Sequence, residues 1–361
     1  MKAWVLKDIG DISLQDVEVP IPDEGWVRIR VEACGICGSD IPRIYETGAH
    51  NMPLICGHEF SGVVEALGKN VSPDWMGKRV AVFPKIACGK CRHCREHHPM
   101  LCTDYDYVGS RRNGAFAEYV TAPAANLLEL PDNVGFDEAA MLEPFAVAAN
   151  AVRTACYWGY ILDEDEPVAI CGLGTIGLMV AALLLDEGYT NLYMIANKQT
   201  QIAKAKDFGI SEDHICDSTK QDAAAWLNDM TGGGVTAYFE CVGSKESVGY
   251  GMDTCAQNGK LILVGNPRSD MAFSRDTYWN ILRKSLIIKG IWNSSFAQSD
   301  PENEYGPTDD WHYALQVLAG GKSELSKLIT HRFPIDELEK GFHIMRDKTE
   351  DYTKIMMCRT K

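Results

Sequence analysis

Apolar and polar residues alternate strictly along Val27-Arg28-Ile29-Arg30-Val31, the period of a strand with one buried face. Similar runs at residues 62–67, 79–83 and 116–121, with breaks at Pro20, Pro22 and Gly25, predict a mainly β segment over the first 130 or so residues. Long irregular insertions separate these runs, and such insertions usually carry function. The period changes at residues 143–160, where Ala146, Val147, Ala149, Asn150 and Val152 predict a helix with a small-residue face. Asp163-Glu164-Asp165-Glu166 and Pro167 then mark a boundary. Beyond it, apolar runs at residues 168–171, 191–195, 237–241, 260–265 and 286–290 read as buried strands, with helical stretches such as 222–230 among them. The repetition predicts an α/β chain with a doubly wound parallel sheet over residues 151–292. Residues 311–359 hold one or two helices and a strand-like stretch at 352–357, too little to stand alone, so they are expected to rejoin the first part. The expected domains are therefore 1–150 with 293–361, and 151–292.

Composition narrows the function classes. The 361 residues are 46% hydrophobic, enough for sizeable cores, and acidic residues outnumber Lys plus Arg by 50 to 35 for a net charge of −15. Nucleic acid and anionic membrane surfaces are disfavoured as partners. The start, Met1-Lys2-Ala3-Trp4-Val5, has no apolar signal core, and no apolar run reaches the length of a membrane span, so a soluble, cytoplasmic protein is expected. Thirteen cysteines in such a chain read as reduced thiols, some of them metal ligands.

Two clusters carry metal chemistry. Cys37-Gly38-Ser39-Asp40, a loop with His50, and Gly57-His58-Glu59-Phe60-Ser61-Gly62 bring a thiol, an imidazole and a carboxylate into one stretch. These are the donor types of a catalytic zinc that leaves one position for substrate, and Cys37, His58 and Glu59 are read as its ligands. Cys88, Cys91, Cys94 and Cys102 have the spacing of four thiolates converging on one tetrahedral ion in a lobe of about residues 85–105. Four thiolates close the shell, which suits a structural zinc, with iron–sulfur ligation as the competing use.

A third motif, Gly172-Leu173-Gly174-Thr175-Ile176-Gly177, lies between the strand at 168–171 and a long apolar helix. In that context a glycine fingerprint seats a pyrophosphate on the helix N-terminus. After the next strand, the position that usually holds a ribose-binding acid reads Ala196-Asn197-Lys198. A small residue leaves room for a 2′-phosphate and Lys198 can neutralise it, so NADP(H) is favoured over NAD(H).

Gly57-His58-Glu59-x-x-Gly62 with Gly68 and Val71, the four-cysteine lobe and the nucleotide fingerprint, in this order, resemble the zinc-dependent medium-chain alcohol and polyol dehydrogenases along the whole chain. Cys37 to Ile44, Gly48-Ala49-His50 and Gly109-Ser110-Arg111-Arg112-Asn113-Gly114 most resemble that family's galactitol-phosphate branch. The resemblance implies a mainly β, GroES-like catalytic domain joined to a Rossmann domain, with two zinc ions per chain. It implies that Glu143, in Leu142-Glu143-Pro144, is a further carboxylate ligand of the catalytic zinc, and that the four cysteines hold the structural one. It also implies that Ser39 relays the substrate proton, that a polyol and its ketose are interconverted by hydride transfer, and that the chain forms a homodimer or homotetramer through the strand at 286–290.

A sugar phosphate needs cationic partners. Arg43, Arg111, Arg112 and Lys85 fall in loops near the proposed site and His50 suits a hydroxyl, so a sugar-alcohol phosphate is expected. The acidic stretch Ser299-Asp300-Pro301-Glu302-Asn303-Glu304 argues against an anion and keeps an unphosphorylated polyol or secondary alcohol as the alternative. Trp292 is expected in a core.

Overall fold

The alternating run at residues 27–31 forms the first half of a ten-residue strand, Trp26–Gly35, with Val27, Ile29 and Val31 buried and both arginines half-buried. In the computed structural model, residues 1–96, 98–157, 162–267, 269–296, 309–321 and 323–359 are described. They divide into two units, Met1–Pro144 with Ser295–Lys361, and Phe145–Ser294. The end of the expected helix, residues 158–160, and the acidic stretch from Ser299 to Glu304 lie outside the described residues.

In chain order the first unit contributes β1 (Lys2–Asp8), β2 (Asp11–Asp16), β3 (Trp26–Gly35), β4 (Leu54–Ile55), β5 (Glu59–Leu67), β6 (Arg79–Val82), β7 (Lys85–Ile86), β8 (Asp106–Tyr107), β9 (Tyr119–Pro123) and β10 (Leu127–Glu129). The central strand β3 pairs antiparallel with β5 and β9, and β6 and β10 extend the sheet beyond β5. Irregularities at Arg28/Ile29 and Val31/Ala33 twist the β3–β5 ladder. Ile29, Phe60, Val64, Val82, Phe116, Val120 and Phe342 fill its core.

The second unit holds β11 (Val168–Cys171), β12 (Leu192–Ala196), β13 (Ile215–Asp217), β14 (Val235–Glu240), β15 (Cys255–Leu263) and β16 (Ile287–Gly290). They form one parallel sheet in the order β13-β12-β11-β14-β15-β16. This is the doubly wound order, whose ligands bind where the strand sequence reverses, here between β11 and β14. Strand β11 is wholly buried and leads through a glycine turn into the helix Thr175–Asp186. No helix among the described residues is long and apolar enough to cross a membrane.

The chain then returns to the first unit. The helix Asp310–Ala319, β17 (Ile329–Phe333), the helix Leu338–Asp347 and β18 (Lys354–Cys358) follow, and β18 lies between β17 and β3 in the sheet. Met356 pairs with Gly35 and Met357 with Cys34, and continuing this antiparallel register sets Lys354 level with Cys37, two residues past the end of β3. That register carries a C-terminal side chain to the residues around Cys37.

Candidate metal centres and nucleotide site

Cys37 lies just past β3, and His58 and Glu59 lie at the start of β5, strands that are hydrogen-bonded neighbours with Gly35 opposite Glu59. Pairing alone therefore brings the thiol, imidazole and carboxylate together. Ligand atoms of Cys37, His58 and Glu59 lie within 4.8 Å of one another, as do those of Cys88, Cys91, Cys94 and Cys102.

Around the first cluster each side chain has a neighbour that fixes it. Ser39 Oγ donates to Cys37 Sγ at 3.3 Å. The Nδ1 of His58 lies 3.5 Å from Oδ1 of buried Asp40, a long contact with no other partner, which leaves Nε2 as the nitrogen turned elsewhere. Asp40 also accepts from the Cys37 amide at 3.0 Å and from Arg43 at 2.5 Å. Burial opposes a charge on Asp40, but His58 and Arg43 outweigh it and hold its carboxyl below the usual range. Burial likewise opposes a proton on His58, yet Asp40 and Cys37 push its pKa well above 6.5. The pocket is thus strongly favourable to positive charge, which fits a dication among S, N and O donors.

Glu59 is buried and its Oε2 contacts the Nζ of buried Lys354, which also donates to the Ile36 carbonyl at 3.1 Å. Gly35 makes this pairing possible, since a Cβ there would sit 2.3 Å from Glu59 Oε2 and 2.6 Å from Lys354 Cε. Glu143, in the first turn of the helix Leu142–Tyr157, accepts from the Tyr107 hydroxyl at 3.0 Å. The Tyr107 ring meets His58 edge-on, with centroids 5.8 Å apart. Burial, helped by Glu143, raises the Tyr107 pKa well above 10, so it remains a phenol.

In the second cluster, Sγ separations are 3.4 Å for Cys91–Cys94, 3.8 Å for Cys91–Cys102 and 4.0 Å for Cys88–Cys94. Zinc–sulfur bonds of about 2.3 Å imply tetrahedral edges of about 3.8 Å, so the cage fits the ion. Backbone N–H groups donate to the sulfurs, Cys91 N to Cys88 Sγ at 3.4 Å and Cys88 N to Cys102 Sγ at 3.3 Å. The Cys94 amide draws the Cys91 thiol down to about 6, whereas burial and the adjacent thiols push Cys94 up to about 12. All thirteen cysteines are free.

The residues expected to meet substrate divide into two groups. His50, Asn51, Tyr105, Asp106, Arg111 and Arg112 line one cavity of about 540 Å³. Arg112 is tied to Asp106 at 2.8 Å, while Arg111 stacks on Tyr105 at 4.2 Å and has no carboxylate partner among the described residues. Arg43 is not in this cavity; its charge is spent on Asp40. Lys85 is buried in β7, donates to the Met100 carbonyl and has its Nζ 4.3 Å from the centroid of the same Tyr105 ring, so it serves the cysteine lobe.

In the second unit Gly172 and Gly174 make the turn after β11, and Thr175, Ile176 and Gly177 open the helix. A Cβ on Gly177 would lie 2.0 Å from the Gly172 carbonyl oxygen, so only glycine allows that helix to approach the turn. Strand β12 ends at Ala196, with Asn197 and Lys198 exposed beyond it. A carboxylate does stand nearby: Asp217 of β13 pairs in register with Ala196. It is engaged by Gln199 at 2.8 Å, Thr219 at 2.6 Å and Lys220 at 2.8 Å. Trp292 is 66% exposed, contrary to the core expectation, because β16 is the sheet edge.

Asp40, Tyr107, Lys354 and Asp217, with Asn51, Tyr105 and Asp106 in the cavity, are among the polar residues here that sequence patterning left out. Asp40 had a signal, its position three residues from Cys37; the others reach their places only through strand pairing and tertiary packing.

Comparison with known proteins agrees with this geometry. Residues 23–132 match the alcohol dehydrogenase GroES-like domain and residues 175–309 the zinc-binding dehydrogenase domain. The chain is 31% identical over 336 residues to galactitol 1-phosphate 5-dehydrogenase of Escherichia coli K12, covering 92% of each sequence. It is 32% identical over 340 residues to L-threonine 3-dehydrogenase of Proteus mirabilis, covering 91% of this chain and 92% of that one. The crystal structure of the E. coli galactitol-1-phosphate dehydrogenase superposes with a TM-score of 0.87 at 28% identity, over 99% of this chain and 100% of that one. A zinc-binding dehydrogenase of Sinorhizobium meliloti 1021, bound to NADP, gives 0.87 at 26% identity over 99% and 98%. With its GroES-like, mainly β part and its Rossmann sheet, the chain belongs to the zinc-type medium-chain alcohol and polyol dehydrogenases.

Proposed function

We propose that the protein oxidises a sugar-alcohol phosphate of the galactitol 1-phosphate kind to its ketose, and the reverse, with NADP(H) and two zinc ions. The convergence of Cys37, His58 and Glu59 carries this reading. In it, the unit Met1–Pro144 with Ser295–Lys361 is catalytic and Phe145–Ser294 binds the cofactor. Cys37, His58 and Glu59, with Glu143 beside them, hold the catalytic zinc, and the four cysteines hold the structural one. A zinc ion bound there polarises the substrate hydroxyl and lowers its pKa. Ser39, already hydrogen-bonded to Cys37, takes the hydroxyl proton towards solvent. Overall the carbinol loses a hydride to the nicotinamide and a proton to solvent.

Gly172, Gly174, Thr175, Ile176 and Gly177 bind the pyrophosphate and Ala196, Asn197 and Lys198 face the adenosine ribose. NADP(H) is supported by the absence of an acid at Ala196–Lys198 and by the engagement of Asp217 with Lys220. The phosphate of the substrate is assigned to the cavity with His50, Arg111 and Arg112, where Arg111 is the cation without a carboxylate partner among the described residues. Asp106 in the same cavity favours a second reading, an unphosphorylated polyol or secondary alcohol.

Nicotinamide absorbance tests the proposal, using galactitol 1-phosphate and galactitol with NADP and NAD. Turnover is expected to favour the phosphate and NADP. Equal use of both polyols selects the second reading, a clear NAD preference overturns the cofactor assignment, and inactivity of zinc-replete protein on every polyol overturns the function.

A further inference from the structure

Four side chains of the proposed centre are each fixed by a different kind of neighbour. Cys37 is held by the Ser39 hydroxyl and Glu59 by the Lys354 ammonium, and His58 faces the Asp40 carboxylate at 3.5 Å without a hydrogen bond from Nδ1. Glu143 accepts from the Tyr107 phenol at 3.0 Å and, among the described residues, forms no ion pair. The first three bring their ligand atoms within 4.8 Å of one another, and Glu143 is not a member of that set. A carboxylate only accepts, so the phenol donates to it. The same ring rests edge-on against His58, which fixes where its hydroxyl can reach.

The two glutamates are therefore unlike. Glu59 is a buried anion in contact with a buried cation, an arrangement that resists separation. Glu143 has a neutral hydrogen-bond donor to leave, with His58 and Lys354 acting on it through space and not as ion-pair contacts. We propose that Tyr107 is a positioning residue whose hydroxyl keeps Glu143 apart from Cys37, His58 and Glu59, so that the fourth position of the metal is open at rest and Glu143 is the exchangeable carboxylate. The inference rests on reading those three residues as zinc donors. Replacing Tyr107 with phenylalanine removes the latch and keeps the ring against His58.

The test uses the full chain loaded with cadmium and followed by cadmium NMR, where one thiolate and four thiolates give separate resonances. Imidazole is titrated as the probe of the open position. In the unaltered protein it shifts the one-thiolate resonance. In Tyr107→Phe its apparent affinity falls about tenfold, because the released Glu143 competes for the position. Glu143→Gln added to Tyr107→Phe restores the affinity, and Glu143→Gln alone stays within about twofold of the unaltered protein. Unchanged affinity in Tyr107→Phe, a loss that Glu143→Gln does not restore, or a large gain from Glu143→Gln alone overturns the inference. The four-thiolate resonance reports that each variant is folded. Absence of the one-thiolate resonance in the unaltered protein overturns the zinc reading itself, and this inference with it.

Discussion

The ammonium of Lys354, near the C-terminus, lies against the carboxylate of Glu59, and both side chains are almost wholly buried. Burial opposes a charged lysine, but Glu59 and then Cys37 outweigh it and raise the Lys354 pKa. Removing one member strands the other charge. Lys354→Met is expected to cost about 3–5 kcal/mol in denaturant unfolding, and Lys354→Met with Glu59→Gln less than the sum of the two. Additive costs would mean the pair is not coupled.

The cysteine lobe contains two short strands and little buried apolar surface beside its four sulfurs. Metal content of the purified chain is expected near two zinc ions and about one in Cys94→Ser, with protease cleavage opening within residues 88–102. A Cys94→Ser protein with full zinc and unchanged cleavage would remove the lobe from the metal inventory.

Arg111 donates to the Tyr105 carbonyl at 3.1 Å and is the cavity's cation without a carboxylate partner among the described residues. A charge-assisted contact to phosphate of about 1.5–3 kcal/mol predicts that Arg111→Ala lowers kcat/KM for the phosphorylated polyol roughly 10- to 100-fold. The unphosphorylated polyol should change little. Equal losses on both substrates would assign Arg111 to loop structure.

Asp217 is held down to about 2, first by Lys220 and then by Thr219, against an ordinary 3.8. A depressed carboxyl adds stability above its unfolded pKa and loses it as the pH falls from there through the folded value. The stability gap between the unaltered protein and Asp217→Asn should therefore be constant above pH 4 or so and shrink towards pH 2 or so. Chemical unfolding over that window measures it, and a gap that widens on acidification contradicts the assignment.

Strand β16 ends the parallel sheet, and Tyr278, Trp279, Leu282 and Trp292 near it are 57%, 41%, 67% and 66% exposed. An open edge with an apolar surround suits a second copy of the chain across a two-fold axis. Sedimentation is expected to give a dimer or a dimer of dimers, dissociating to smaller species in Leu282→Lys. A monomeric unaltered protein would refute this.

Much of the fold was legible because its signals are local. Alternation at residues 27–31 marks β3, four consecutive buried residues mark β11, and the glycines after it fix the turn into the next helix. Cys37, His58 and Glu59 were legible as a donor set from residue type, and their proximity follows from one strand pairing. Lys354 was not legible, since 295 residues separate it from Glu59 and only the register of β18 on β3 joins them. Tyr107 reads as one more aromatic in a loop. The engagement of Arg43 with Asp40 and of Lys85 with the Met100 carbonyl was not legible either, because a cation's sequence neighbourhood does not reveal which anion or carbonyl it already serves.

The Tyr105 ring centroid lies 4.3 Å from Lys85 of the cysteine lobe and 4.2 Å from Arg111 of the cavity that His50 lines. One aromatic side chain thus belongs to two parts of the molecule with different duties. Drift at this position cannot tune substrate preference in isolation: any replacement that reshapes the cavity also loosens the lobe's hold on Lys85. Under the proposed function, diversification towards other polyols is therefore freer at His50 than at Tyr105, or at Asn51, whose side chain donates to the Arg111 carbonyl at 3.0 Å.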